Sequence, residues 1–561
     1  MDGRVVAMRA QSRSRGLPVL LLGCACTALL ACASSATARV FHVGTFEGKT
    51  GIHRIRTAIE KASPGDWILI GPGDYKETGA LLSAGASSGA AGAGVLIEKS
   101  GVHIRGMSRN GVVIDGTKKG APECSSRAAD QEPGPLDSEG HHTGRNGLEV
   151  FKTPGVSVEN LTVCNYLTGS GGGGAQIWFN FGDTSGKQQA GSWRGAYLSA
   201  TSTYWEGKNA PTGLYGTFTS NNTGPGLYTQ VFANNMAASG LGVVACPDCN
   251  TIVDHYHSEN NAVGYTGQNT GGHLTIQNSE FDNNKAGFIS NSQNNDDAPS
   301  PQNGACPGGG TGPTGSHNCW LFTKNSVHDN NDPNVPSAGG ADSAPVGTGV
   351  VISGGRNDII NANKIYDNGA WGILLIPFPD TEKPPAVANC AGGTSEELNG
   401  EHICYFDDFG NEVTNNELAN NGSFANPSNG DLAEISNPEN PGNCWHGNVD
   451  EGQPLNEPTS EPKLIQDPPH SECGIPDSGE PLASPLGSQV SCNSQFFAPT
   501  LECPTGTGAN YPRLTKVELK SLPEQKTMAN PCEGVPRNSW CPNNKPARLT
   551  PPYPVPGEPA A

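Results

Sequence analysis

The sequence predicts an all-β solenoid, a coil of short strands and not a globular sandwich, and three observations predict it. One phrase recurs five times between Asn250 and Gly422 at a basic step of roughly 23 residues: HSENNAVG (257–264), EFDNNKAG (280–287), VHDNND (327–332), IYDNGAWG (365–372) and ELANNG (417–422). Each copy aligns an acidic or amide residue (Glu259, Asp282, Asp329, Asp367, Asn420) with a following asparagine (Asn260, Asn283, Asn330, Asn368, Asn421). Four residues before the acidic column runs a second polar column, His255, Asn278, Asn325, Asn363 and Asn416. A unit this short, rich in β-branched residues and Asn-Gly turns, cannot bury an apolar face alone and must stack on its neighbours.

The elements follow in chain order. Arg4, Arg9, Arg13 and Arg15 precede an apolar run from Leu17 to Ala33 and a small-residue exit at Ala36-Thr37-Ala38. That is an export signal over 1–38. An alternative reading of Leu29-Leu30-Ala31-Cys32 as a lipobox would leave a lipidated Cys32. A mature chain that is secreted or at the cell surface is expected, with no further stretch long enough to span a bilayer. Val40–Val43 reads as a first strand, and Ile52, Ile55, Ile59 and Ala62 share one face of a short helix. Pro64-Gly65-Asp66 stops the helix, and Trp67–Ile70 follows as a buried strand. Such a helix plugs the open end of a coil, whose bare terminal rung would expose core side chains and unpaired backbone.

Further rungs are expected over 101–116 and 146–166, where apolar residues alternate between Gly and Asn turns, with a surface loop at 117–145. The pattern breaks at three insertions, about 167–225, 292–318 and 380–404. The coil is assigned to 39–449. The remainder, 450–561, is rich in Pro, Gly and Cys and reads as a disulfide-pinned tail over the C-terminal end.

Composition excludes some functions. The chain has 561 residues, with 34 basic against 54 acidic, a net charge of −20. Without a visible basic cluster that balance is a poor surface for nucleic acid. Of 17 cysteines, three lie in the export signal and fourteen remain, which in an exported chain reads as disulfides. Cys246-Pro-Asp-Cys249 is read as a stapled turn, since no partner pair stands at zinc-finger spacing.

In a parallel coil, equivalent residues lie about 4.8 Å apart. Asparagines at a corner tolerate left-handed geometry and lend their amides to the next rung, so that column is read as structural. Stacked carboxylates repel unless protonated, hydrated or bridged. They are either solvated turn residues, oxygen ligands for Ca²⁺, or the acid and base that act on a glycan. Trp178, Phe179, Phe181, Trp193, Tyr197, Tyr204, Trp205, Tyr215 and Phe218 crowd the 167–225 insertion. Such a loop either contacts sugar or packs on the coil.

The run AIEKASPGDWILIGPGDYKE resembles the opening of right-handed parallel β-helix proteins of the pectin-lyase-like superfamily. The repeats over about 40–422 resemble proteins described as NosD-like carbohydrate-binding and sugar-hydrolysis domains. That resemblance implies a right-handed parallel β-helix. It implies function only by association, because one fold hosts many chemistries. Family signatures match thinly. IVDHYHSEN (252–260) resembles the WIDH segment of pectate lyases without its tryptophan, and EFDNNKAG places Lys285 on their lysine. No arginine base follows until Arg356, and Tyr265 stands near where a calcium aspartate is expected. Of polygalacturonase motifs only Asp296-Asp297 could stand for DD, and the DPH-type motif of alginate epimerases is absent.

The expectation is a monomeric exported β-helix that binds, and as an enzyme cleaves, an extracellular polysaccharide. A catalytic pair would come from Glu259, Asp282, Asp329 and Asp367, with Lys285 meeting an anionic substrate group. Trp178, Trp193, Trp205 and Tyr204 would form a sugar platform. No cofactor is required, and Ca²⁺ is the cation the column would suit. The alternative is a non-catalytic surface scaffold.

Overall fold

A computed structural model describes residues 38–77, 80–81, 91–182, 191–291, 320–380, 394–398, 401–438, 442–494 and 508–547, with 503 and 506. The export signal, Cys32, Asp296-Asp297 and the 292–318 insertion lie outside them. Two large sheets account for the architecture, one of 12 strands and one of 19. Strand pairing within them is parallel throughout except where Ala80–Leu81 meets Gly92–Ile97. The chain is a right-handed parallel β-helix.

Each coil lays one strand in the 12-stranded sheet, the back face. It lays two more in the 19-stranded sheet, which bends into a first and a second front face. One turn reads Val263–Gln268 on the back, Thr270–Gln277 on the first front face and Glu280–Asp282 on the second. Three corners close such a coil, and the two that flank the second front face are each made by one residue with positive φ. His255, Asn278, Lys324, Ala362 and Asn415 form the first corner, with φ between 50° and 57°. Asn260, Asn283, Asp329, Asp367 and Asn420 form the second, between 51° and 56°. Asn and Asp tolerate this region best, which is why they dominate the second corner.

The residue after each corner builds a ladder. Asn284 Oδ1 accepts the backbone N–H of Asn261 at 2.9 Å and its Nδ2–H at 3.1 Å. Asn330, Asn368 and Asn421 repeat the arrangement rung by rung. A second ladder runs through Asn325, Asn363, Asn416 and Asn448 at the first corner. The aligned asparagine column is therefore corrected: Asn260 and Asn283 stand one place before the ladder that Asn330, Asn368 and Asn421 join. The ladders also explain the glycine that follows. A Cβ at Gly287 would meet Asn330 Nδ2 at 2.8 Å and Gly349 O at 2.5 Å.

Inward side chains such as Ile104, Val158, Phe179, Phe288, Val327 and Ile365 form one continuous dry core. The helix Ile55–Lys61 closes its N-terminal end with Ile55, Ala58 and Ile59 buried. Its N-cap, Arg54, makes no side-chain cap, and Glu77 Oε1 instead accepts the Ile55 N–H at 2.7 Å. The 167–225 segment, read as an insertion, continues the coil with strands Ala175–Asn180, Trp193–Thr201 and Tyr215–Ser220. Its glycines and aromatics obscured a period-2 alternation in which Ile177 and Phe179 point inward.

The coil runs past 449, since Leu432–Ala433 pairs parallel with Ser460–Glu461. A helix, Pro485–Asn493, then packs Leu486 and Val490 on the back face. The tail does not stay at the C-terminal end. It runs back along the coil as an extended strap held by asparagine side chains. Asn334 Oδ1 accepts from Thr515 and Lys516, Asn235 pairs with both backbone groups of Lys520, and Asn110 does the same for Gln525. Trp540 ends on the first rung against His42 and Phe46, beside the Cys532–Cys541 bridge. Five disulfides are placed among the described residues, including the stapled turn Cys246–Cys249.

Candidate active site

Strand register stacks two outward columns on the second front face. One is Phe232, His257, Glu280, Ser326, Lys364 and Glu417; the other is Asn234, Glu259, Asp282, His328, Tyr366 and Ala419. Between them the inward residues Ser258, Phe281, Val327, Ile365 and Leu418 fix the register, because a one-residue slip would turn every apolar side chain outward.

This register brings Glu259 and Asp282 together and separates them from Asp329 and Asp367. Those two aspartates occupy the second corner, one residue further along. Aligning the repeat by its acidic residues caused the slip; the coil aligns by its apolar residues. Asp329 Oδ2 accepts from His328 Nδ1 at 2.9 Å, and Asp367 Oδ1 accepts from Asn420 Nδ2 at 2.6 Å. Both serve the corner.

The cluster is an alternation of imidazole and carboxylate. His257 Nε2 lies 2.7 Å from Asp282 Oδ1, and His328 Nε2 lies 3.1 Å from Glu280 Oε1. Asn283 Nδ2 holds the other oxygen of Asp282. Aromatic rings fix both imidazoles: Phe232 meets His257 edge-on at 5.1 Å, and Tyr366 stacks on His328 at 4.6 Å. Ligand atoms of His257, Glu259 and Asp282 all lie within 4.8 Å of one another. That set could hold one divalent ion. Its imidazole matches a transition metal better than the all-oxygen shell of Ca²⁺.

The two neighbouring carboxylates differ in proton affinity. Burial raises the Glu259 carboxyl, with His257 and Lys520 of the strap opposing only in part. Burial also pushes on Asp282, but the hydrogen bond and charge of His257 outweigh it and hold this carboxyl below its usual range. Burial opposes protonation of His328, yet bonds to Glu280 and Asp329 raise it to about 9. His257 is raised in the same way, chiefly by Asp282. Beyond Tyr366 the face continues into an open depression of about 310 Å³ lined by Lys364, Tyr366, Glu417 and Asp450.

The remaining expected residues lie elsewhere. Lys285 sits past the second corner, and its Nζ donates to the backbone oxygen of Asp342 at 2.6 Å. Burial lowers it to about 8. Trp193 is core, stacked on Phe179 at 4.3 Å and meeting Tyr228 at 4.5 Å. Trp178 is buried on the back face, donating Nε1–H to Ser220 Oγ at 3.0 Å. Tyr204 is buried with its hydroxyl on Glu206, and half-buried Trp205 follows it in the loop after Thr201. The platform is thus not assembled from Trp178 and Trp193, whose rings serve the back face and the core. Sequence reasoning missed His257, Glu280, His328 and Tyr366. All four fall at alternate, outward positions of the same phrase, which was the available signal.

No family model matches this sequence, and no curated protein matches it. Solved structures with a similar winding exist. The chain is 13% identical to a PL6 family polysaccharide lyase from Pseudopedobacter saltans, covering 77% of this chain and 86% of that one at a TM-score of 0.37. It is 13% identical to pectate lyase Pel9A, covering 74% and 78% at 0.31. It is 11% identical to a family 28 exopolygalacturonase from Yersinia enterocolitica, covering 69% and 72% at 0.35. These likenesses concern the coil and carry nothing about the reaction.

Proposed function

We propose that this protein is an exported β-helix hydrolase that binds an extracellular polysaccharide along the second front face and cleaves it there. Glu259 is the general acid and Asp282 the base or nucleophile. One observation carries the reading: two carboxylates on adjacent rungs of the second front face have oxygens within 4.8 Å of each other and of an imidazole that bonds one of them. Carboxyl pairs of glycosidases stand about 5–5.5 Å apart for retention and about 6.5–9.5 Å apart for inversion, and a pair on adjacent rungs is closer to the shorter spacing. The opposite shifts, Glu259 raised and Asp282 lowered, then suggest the roles, the raised carboxyl being the acid. His257 holds the Asp282 carboxyl below its usual range, and Tyr366, one face of which stacks on His328, lines the adjoining depression where a further sugar would lie.

Export is supported by the basic-then-apolar N-terminus and by the disulfides. The test is turnover of a panel of neutral and acidic glycans, followed by reducing ends and by the ultraviolet absorbance of unsaturated uronates. Reducing ends without unsaturation are expected. Unsaturation would replace hydrolysis by elimination, and no turnover on any glycan would leave the scaffold reading.

A further inference from the structure

The back face carries a feature that the front-face cluster does not explain. A pocket of about 160 Å³ stands there, lined by Tyr215, Val263, Thr266, Gln268, Ile289 and Asn291 of the sheet. The segment 338–341 and Phe378 add to its walls. That segment is seated on the coil by the Ala338 N–H, which donates to Ala237 O at 2.8 Å. Strand alternation turns Thr266, Gln268, Ile289 and Asn291 outward, because Tyr265 and Phe288 point into the core.

Gln268 and Asn291 are partners in the strand register, one rung apart. Elsewhere on this coil, carboxamides on adjacent rungs bond one another: Asn330 Oδ1 accepts from Asn284 Nδ2 at 3.0 Å. Gln268 and Asn291 do not. Neither side chain makes a hydrogen bond among the described residues. Asn291 is 8% exposed, and its Oδ1 is buried without a partner. Buried carboxamides are normally satisfied, so this one asks for a partner that the fold does not supply. A half-turn about its last side-chain bond exchanges Oδ1 and Nδ2, which brings either atom to the pocket.

The lining selects the chemistry of that partner. No Asp, Glu, Lys, Arg or His lines the pocket, so a charged ligand would lose hydration without meeting a counter-charge. Each carboxamide offers a donor beside an acceptor, the pattern that two neighbouring hydroxyls complete. Val263, Ile289 and Phe378 supply apolar surface for the C–H groups of a ring. A cavity of about 150 Å³ holds one six-membered ring, so the volume suits a single sugar unit and not an extended chain.

We propose that this back-face pocket binds one neutral pyranose unit, whose hydroxyls bond the Gln268 and Asn291 carboxamides, and that it performs no chemistry. It lies on a different sheet from the carboxylate cluster and is read by binding alone, so it does not rest on the hydrolase reading.

The experiment is a ligand-observed NMR titration of the full mature protein with the methyl glycosides of galactose, glucose and xylose. Galacturonate serves as the charged ring and cyclohexanol as the ring poor in hydroxyls. Saturable binding of at least one neutral glycoside is expected, with galacturonate and cyclohexanol at least about tenfold weaker. Gln268→Leu keeps the bulk and removes the carboxamide, and should weaken binding about tenfold, as two lost hydrogen bonds of ordinary strength require. Ala341→Phe, in the wall segment, should fill the pocket and abolish binding, and it decides the matter should Gln268→Leu not fold. The proposal is overturned if no neutral glycoside binds, if galacturonate or cyclohexanol binds equally well, or if affinity is unchanged in every folded variant.

Discussion

His257 reaches across one rung to place Nε2 2.7 Å from Asp282 Oδ1, while Glu259, two residues on from His257, stacks directly over Asp282 in the strand register. One imidazole thus serves two carboxylates unequally, bonding one and only facing the other. Asp282→Asn removes the charge that raises His257. The His257 ring should then titrate closer to the ordinary histidine value, about 6.5, when followed by NMR. An unchanged His257 titration would place its proton elsewhere.

Stability should depend on pH through the same cluster. His328 is raised to about 9, above its unfolded value of about 6.5. Its contribution is therefore complete below about pH 6.5 and is lost as pH rises through about 9. The slope should not exceed about 1.4 kcal/mol per pH unit for this one group. Denaturant melts between neutral and alkaline pH should lose this component in His328→Gln. Equal slopes in both proteins would contradict it.

The acidic column and the asparagine ladder should respond differently to mutation. Asn330 makes four ladder hydrogen bonds, to Asn284, Phe281 and Asn368. Asn330→Ala should cost about 2–4 kcal/mol in unfolding free energy. Asp329→Asn keeps a residue that accepts the left-handed corner and should stay within about 0.5 kcal/mol.

Among the tryptophans, Trp193→Ala empties a core site between Phe179 and Tyr228 and should cost about 3–5 kcal/mol in denaturant melts. Trp205→Ala, at a half-buried loop position, should stay within about 1 kcal/mol. Equal costs would return Trp193 to the surface role its composition invites.

Much of this architecture was legible because a solenoid writes its rung into the sequence. The helix before Trp67–Ile70, the repeat and the Cys246–Cys249 staple all follow from local pattern and turn chemistry. The coil over 167–225 was not legible. Aromatic inward residues such as Phe179 and Trp193 interrupt the aliphatic alternation by which a rung is recognised. The cluster was half legible: Glu259 and Asp282 were found through their charge, whereas His257 and His328 depend on register, which apolar residues set. The strap was invisible because asparagine side chains hold it, 285 residues apart in sequence at Asn235 and Lys520.

The most direct measurement compares initial hydrolysis rates on the cleaved glycan for four single variants at matched melting temperature. Glu259→Gln and Asp282→Asn should each lose about 10²–10⁴-fold in kcat, as removal of an acid or base requires. Asp329→Asn and Asp367→Asn, at the corner, should keep near wild-type rates. Rates that fall equally in all four, or that survive in Glu259→Gln and Asp282→Asn, would contradict the assignment of the groove.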